Sequence, residues 1–163
     1  MKKKKILVTG GTGFIGSNIS RYLVRQGYKV TVFDNNFRGK SSRIKDIRKD
    51  INYIKGDIRD RNLVFRSFKN IDCVIHLAFI NGTKFFYEKP IDVLEIATKG
   101  IINTIDACIK NKVKEIFLAS SSEVYQTPIK VPTDETEMLK IPDVHNPRYS
   151  YGGGKILTEL MGI

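Results

Sequence analysis

Val8-Thr9-Gly10-Gly11-Thr12-Gly13-Phe14-Ile15-Gly16 is the stretch that decides the fold. Ahead of it, Lys4 to Thr9 is a short apolar run rich in branched residues, which predicts a buried strand. Behind it, Phe14, Ile15, Ile19, Tyr22 and Leu23 recur near helical spacing, and Gly27 closes a helix over 14–26. Gly11, Gly13 and Gly16 satisfy G-x-G-x-x-G; Gly10, Gly13 and Gly16 satisfy G-x-x-G-x-x-G. Such glycines let the chain turn sharply, let a phosphate approach the backbone and let the helix pack on the strand. The helix N-terminus then offers free N–H groups and a partial positive charge to a pyrophosphate. A second strand over 28–33 ends at Asp34, 18 residues past Gly16. A carboxylate there accepts hydrogen bonds from a ribose diol and repels a 2′-phosphate, which favours NAD over NADP. Arg38, close by, keeps NADP open.

Working outward, strands and helices alternate. Residues 35–42 read as a polar loop, with a short helix over 42–47. Strands are predicted at 51–55, 71–77 and 113–120, and helices at 59–68 and 90–110. The helix at 90 has Pro in its first turn, where a missing N–H costs nothing. A long loop over 121–148 leads to a helix that runs from Tyr149 to Ile163 through three glycines. The fold class expected is α/β: a Rossmann-type doubly wound parallel sheet with helices on both faces. Such sheets usually have six strands in two halves. The chain is therefore expected to be one NAD-binding domain over 1–163, with its C-terminal part missing. It would stop within the helix carrying Tyr151 and Lys155, with a small substrate domain largely absent.

The 163 residues are 41% hydrophobic and 28% charged, enough to bury a core. No apolar run reaches the roughly 18 residues of a membrane span. Met1 to Lys5 resembles the basic start of a signal peptide, but only Ile6, Leu7 and Val8 follow before the glycines. A cytoplasmic protein is expected. Cys73 lies in a strand pattern and Cys108 in a helical one, so each is read as a small buried hydrophobe rather than half of a disulfide. The net charge of +11 is uneven: residues 1–70 hold 18 Lys/Arg against 5 Asp/Glu. That half could bind nucleic acid or attract an anionic dinucleotide and nucleotide-sugar, but most of these lysines are read as solvated. No nucleic-acid or membrane partner is expected. His76 is read as a core histidine and His145 as a loop residue. No Cys/His/Asp cluster has metal-ligand spacing, so no metal is expected. The aromatic run Phe85-Phe86-Tyr87 is read as packing over the sheet, with lining of the substrate access as the alternative.

Tyr151 and Lys155 stand at i and i+4 of the last helix and share a face. An ammonium beside a phenol stabilises the phenolate and lowers its pKa, and the same lysine can hold a nicotinamide ribose. Ser120-Ser121-Ser122 lie at the C-terminal end of the fifth strand, where open α/β sheets bind ligands. A serine there can bond a substrate oxygen and share a proton with the phenol.

At these residues the chain resembles the extended short-chain dehydrogenase/reductases. Within them it is similar to the NAD-dependent epimerase/dehydratase family, which includes UDP-glucose 4-epimerase and dTDP-glucose 4,6-dehydratase. The matching stretches are the glycine turn, Gly56-Asp-Ile-Arg-Asp60, His76-Leu-Ala78, Ser120-Ser-Ser-Glu-Val-Tyr125 and Asn146-Pro-Arg-Tyr-Ser-Tyr-Gly-Gly-Gly-Lys155. The resemblance implies that Gly10, Gly13, Phe14 and Ile15 line the pyrophosphate. It places Asp34 and Asn35 at the adenosine ribose, Asp57 and Ile58 at adenine, and Leu77 and Ala78 beside the cofactor. It makes Ser121, Tyr151 and Lys155 catalytic, with Tyr151 as base and with Tyr151 and Lys155 also touching NAD.

The implied reaction is transient oxidation of a UDP-, GDP- or dTDP-linked sugar to a 4-keto sugar, followed by epimerisation. A 4,6-dehydratase or decarboxylase, or a fragment that binds NAD without turnover, is the alternative. Ala97 stands where the family carries asparagine. Ser122 stands where a dehydratase carries its acidic aspartate, which favours epimerisation over dehydration. A homodimer through the helix around Pro90 to Lys110 and the final helix is likewise implied.

Overall fold

The computed structural model describes residues 3–163. Met1 and Lys2, the start of the basic stretch weighed as a leader, lie outside the described residues. Five parallel strands form one sheet: β1 (Lys5–Thr9), β2 (Lys29–Asp34), β3 (Ile51–Lys55), β4 (Cys73–His76) and β5 (Glu115–Leu118), in the spatial order β3-β2-β1-β4-β5. This is the doubly wound order, with its switch point between β1 and β4.

Alternation along β1 divides the core in two. Ile6 and Val8 join Val30, Val32 and Cys73 under the helix α1 (Phe14–Arg25) and the 3₁₀ segment Ser41–Ile47, which adds Ile44 and Ile47. Leu7 points the other way, into a cluster with Phe33, Phe68, Val74, Ala107 and Cys108. Over that second face lie α2 (Arg61–Ser67), α3 (Thr83–Glu88), α4 (Pro90–Glu95), α5 (Ile101–Asn111) and α6 (Ser150–Gly162). Both cysteines are buried and unbridged, and burial pushes the Cys108 thiol up to about 12.

Two features differ from the expectation. Thr83–Glu88 is a helix of its own, because Phe86 turns fully into the core while Tyr87 faces out. The helix over 90–110 is interrupted: Ile96–Gly100 is a π-helical turn between α4 and α5. Extra residues of this kind are inserted at single turns and are frequent near functional sites. No helix among the described residues is long and apolar enough to cross a membrane.

Candidate active site

A crevice opens at the C-terminal ends of β1, β2 and β4. Its lining includes Gly10, Gly13, Asp34, Asn35, Asp57, Ile58, Leu77 and Ala78, together with Phe79. The turn after β1 depends on Gly10, which sits at φ +68°; a Cβ there would stand 2.8 Å from the Leu77 carbonyl carbon and 2.9 Å from the Ala78 nitrogen. Gly13 precedes α1 and contributes no capping side chain, and no acidic residue occupies the first turn. The first-turn N–H groups of a helix have no partner within it. The positive end of α1 is thus left for an anion. Phe14 and Ile15 stand exposed at that helix start, beside the crevice rather than lining it.

Asp34 closes β2 and is buried. Its two oxygens accept from the Thr12 N–H at 3.0 Å and the Asn36 N–H at 2.7 Å, which ties the glycine turn to the loop after β2. A carboxylate oxygen has a second lone pair, so this leaves acceptor capacity toward the crevice. Asn35 donates to Asp57 at 3.0 Å. Arg38 lines the same crevice, with its guanidinium donating to the Asn81 carbonyl and lying 4.8 Å from the Phe85 ring centroid. An anionic diphosphate over α1 and a diol at Asp34 fit these residues.

The Gly56-Asp-Ile-Arg-Asp60 stretch carries residues whose role was not read from the sequence. Arg59 grips Asp57 with its Nε at 3.0 Å and Nη2 at 2.9 Å, and reaches Asp92 at 3.1 Å and Glu95 at 3.0 Å on α4. The Arg59 guanidinium holds the Asp57 carboxyl below its ordinary value. Asn103, buried on α5, donates to the carbonyls of Ile58 and Arg59, both at 3.1 Å. A lone asparagine on the apolar face of a helix was the available signal for this anchor.

The second group of predicted residues gathers beyond β5. Ser121 caps the 3₁₀ turn Ser122–Val124 and accepts from the Glu123 N–H at 3.2 Å. Tyr151 and Lys155 are both buried on α6. The Tyr151 ring is held between Phe86, stacked at 5.4 Å, and Phe79, edge-on at 5.1 Å. Lys155 donates from Nζ to the Ala119 carbonyl at 2.6 Å. Burial raises the Tyr151 phenol above its ordinary value; the Ser121 hydroxyl pulls it down and the Glu123 carboxylate pushes it up. The expected lowering by Lys155 is therefore not what the geometry gives. The ammonium turns to Ala119, and burial drops its own pKa to about 8.

His76, read as a core histidine, is buried on β4 with Nδ1 3.0 Å from the Thr9 hydroxyl and 3.4 Å from that of Thr104. His145 is an exposed loop residue. Among the described residues no three His, Cys, Asp or Glu side chains gather as a metal site would need.

Lys155 has a consequence for stability. The folded chain gives up this proton at about 8 and the unfolded chain at 10.5, so the unfolded state binds more protons between those values. Stability then rises with pH across that window, and below it burying the ammonium costs roughly 3 kcal/mol. Lys155→Met is expected to stabilise the fold at pH 7 by about 1–3 kcal/mol and to flatten the alkaline rise. Urea unfolding at pH 7 and pH 10 checks this; a destabilised variant at both pH values would contradict it.

The family model described as the NAD dependent epimerase/dehydratase family matches residues 6–162. A UDP-N-acetyl-alpha-D-glucosaminuronate decarboxylase of Bacillus cytotoxicus is 38% identical over 161 residues, covering 98% of this chain and 49% of that protein. A UDP-glucose 4-epimerase of Yersinia enterocolitica is 35% identical, covering 94% of this chain and 46% of that protein. Among solved structures, a UDP-glucose 4-epimerase from Brucella ovis in complex with NAD superposes with a TM-score of 0.85 at 29% identity, over 97% of this chain and 46% of that one. The chain spans about half the length of the curated relatives it matches.

Proposed function

Since the chain belongs to the NAD dependent epimerase/dehydratase family, we propose that it supplies the dinucleotide-binding and proton-transfer half of an NAD-dependent nucleotide-sugar epimerase. The observation that carries this reading is a junction: Phe79 lines the glycine crevice and also packs on both Tyr151 and Lys155. Crevice and proton-transfer corner are thus adjacent. Bound NAD would accept a hydride from the sugar carbon and return it. Gly10 and Gly13 would admit the pyrophosphate, with Phe14 and Ile15 at the helix opening. Asp34 and Asn35 would hold the adenosine ribose, Asp57 and Ile58 would flank adenine, and Leu77 and Ala78 would run beside the cofactor. Tyr151 would take the proton of the sugar 4-hydroxyl, Ser121 would bond the same oxygen, and Lys155 would hold the nicotinamide ribose.

The substrate proposed is a UDP-, GDP- or dTDP-linked sugar. A second reading, decarboxylation of a nucleotide-sugar uronate, is favoured by the relative at 38% identity. Incubation with each nucleotide-sugar separates the two: inversion at C4 supports the first, release of CO₂ the second. Neither product, with NAD still bound, supports the third reading, a half that binds the cofactor without turnover.

A homodimer is proposed through the helix starting at Pro90 and α6. Ile91 and Leu94 are exposed there and share an apolar groove with Leu157. A cytoplasmic site of action agrees with the two unbridged cysteines. Most lysines of the basic first half are read as solvated, and no nucleic-acid or membrane partner is proposed.

Asp34→Ala is expected to weaken NAD binding by about 1–3 kcal/mol, the size of a lost charge-assisted hydrogen bond. Calorimetric titration with NAD measures this, and an unchanged affinity would remove Asp34 from the ribose.

A further inference from the structure

Phe79 directly follows the matched His76-Leu-Ala78 stretch and stands between the crevice and the proton-transfer corner. Its ring meets Tyr151 edge-on at 83°, and the Lys155 ammonium lies 4.2 Å from its centroid. Such closeness needs an unusually near approach of α6. A Cβ on Gly154 would stand 3.0 Å from Phe79 Cζ and 2.5 Å from the Ala97 Cβ. Real Cβ atoms are not found at the second distance, so any side chain at 154 would displace the ring or the helix behind it. Ala97 is itself buried, in the π-helical turn. Phe79, Ala97 and Gly154 therefore form one packing unit.

We propose that Phe79 is a positioning residue for proton transfer, a ring that keeps water from the Lys155 ammonium and the Tyr151 phenol, and that Gly154 is the notch in α6 where it seats. The proposal rests on reading Tyr151 and Lys155 as the proton-transfer pair. A ring face attracts an ammonium, but more weakly than the water it displaces, so a lysine sealed in this way releases its proton more readily. The lowered value at Lys155 agrees with that, with burial as its cause. The titratable groups around this corner are Tyr151 on the same helix, His76 on β4 and Glu123 on the 3₁₀ turn; Glu159, one turn along α6, is engaged by Ser120. Among the described residues the Lys155 ammonium has the Ala119 carbonyl as its hydrogen-bond partner and no carboxylate.

The test is a side-chain NMR titration of the protein carrying ¹³C-labelled lysine, with Lys155→Arg assigning the resonance. In the unsubstituted protein Lys155 is expected to titrate near 8. In Phe79→Ala, water enters and the titration moves up by about one pH unit or more. Gly154→Ala keeps the ring but fills the notch, and is expected to move it the same way. Circular dichroism establishes that each variant is folded, and Gly154→Ala decides alone if Phe79→Ala does not fold. An unmoved titration in the deciding variant overturns the proposal. So does a Lys155 that titrates near its ordinary 10.5 in the unsubstituted protein, a readout that needs no variant. None of these measurements requires a cofactor. A separate calorimetric titration with NAD that finds no binding would sink the functional reading and leave the seal standing.

Discussion

Tyr151→Phe is expected to cut turnover of a nucleotide-sugar by about 10²–10⁴-fold, the usual worth of a positioned general base, while NAD affinity changes by no more than about twofold. The substitution removes one oxygen and keeps the ring. Both aromatic contacts, the stack on Phe86 and the edge-on packing with Phe79, survive it. The fold should lose about 1 kcal/mol at most, the net worth of the Ser121 interaction with a buried hydroxyl. Steady-state rates with the nucleotide-sugar that the protein accepts, set beside calorimetric NAD titration, separate chemistry from binding. Retained turnover would take Tyr151 out of the mechanism. Lost NAD affinity would show that the phenol also holds the cofactor.

Gly10→Val should act on fold and ligand at once. A branched residue at φ +68° pays strain of about 1–2 kcal/mol for the left-handed backbone. Its Cβ also meets the backbone of Leu77 and Ala78, which cannot rotate aside as a side chain would. Overpacking of that kind adds about 1–3 kcal/mol. Together a loss of about 2–5 kcal/mol is expected in denaturant unfolding. Because Gly10 lines the crevice, NAD binding should fall at least about 100-fold even in protein that remains folded, since the pyrophosphate and the new side chain compete for one space. A stable Gly10→Val protein with unchanged NAD affinity would move the binding site away from this turn.

The parts of the molecule legible in the sequence were those set by short-range spacing. The glycine turn, the strand before it and Asp34 after it belong to one βαβ unit, so a local pattern specifies them. The eight predicted residues that line the crevice, from Gly10 to Ala78, come together because each sits at the end of a parallel strand or on the loop after it. What stayed hidden depends on contacts between distant segments. Thr83–Glu88 is too short for periodicity to reveal, and its helical state follows from burying Phe86 against Tyr151. The raised phenol of Tyr151 follows from burial that Phe79 and Phe86 create, and neither is near it in sequence. Arg59 was one basic residue among many until α4 brought Asp92 and Glu95 to it. Ala97 departs from the family's asparagine in the sequence, but only the helix packing shows that Gly154 is its partner.

The imidazole held against the Thr9 and Thr104 hydroxyls makes the fold sensitive to acid. His76 is held neutral down to about 3, against 6.5 for a free side chain. Between those values the unfolded chain binds the extra proton, so acidification erodes stability from about pH 6.5 downward, by up to about 1.4 kcal/mol per pH unit. Lys155 adds its own gain in the alkaline window. Two buried bases thus pull in one direction, while the buried Cys108 thiol, held protonated up to about 12 against 9.0 when free, pulls the other way above about pH 9.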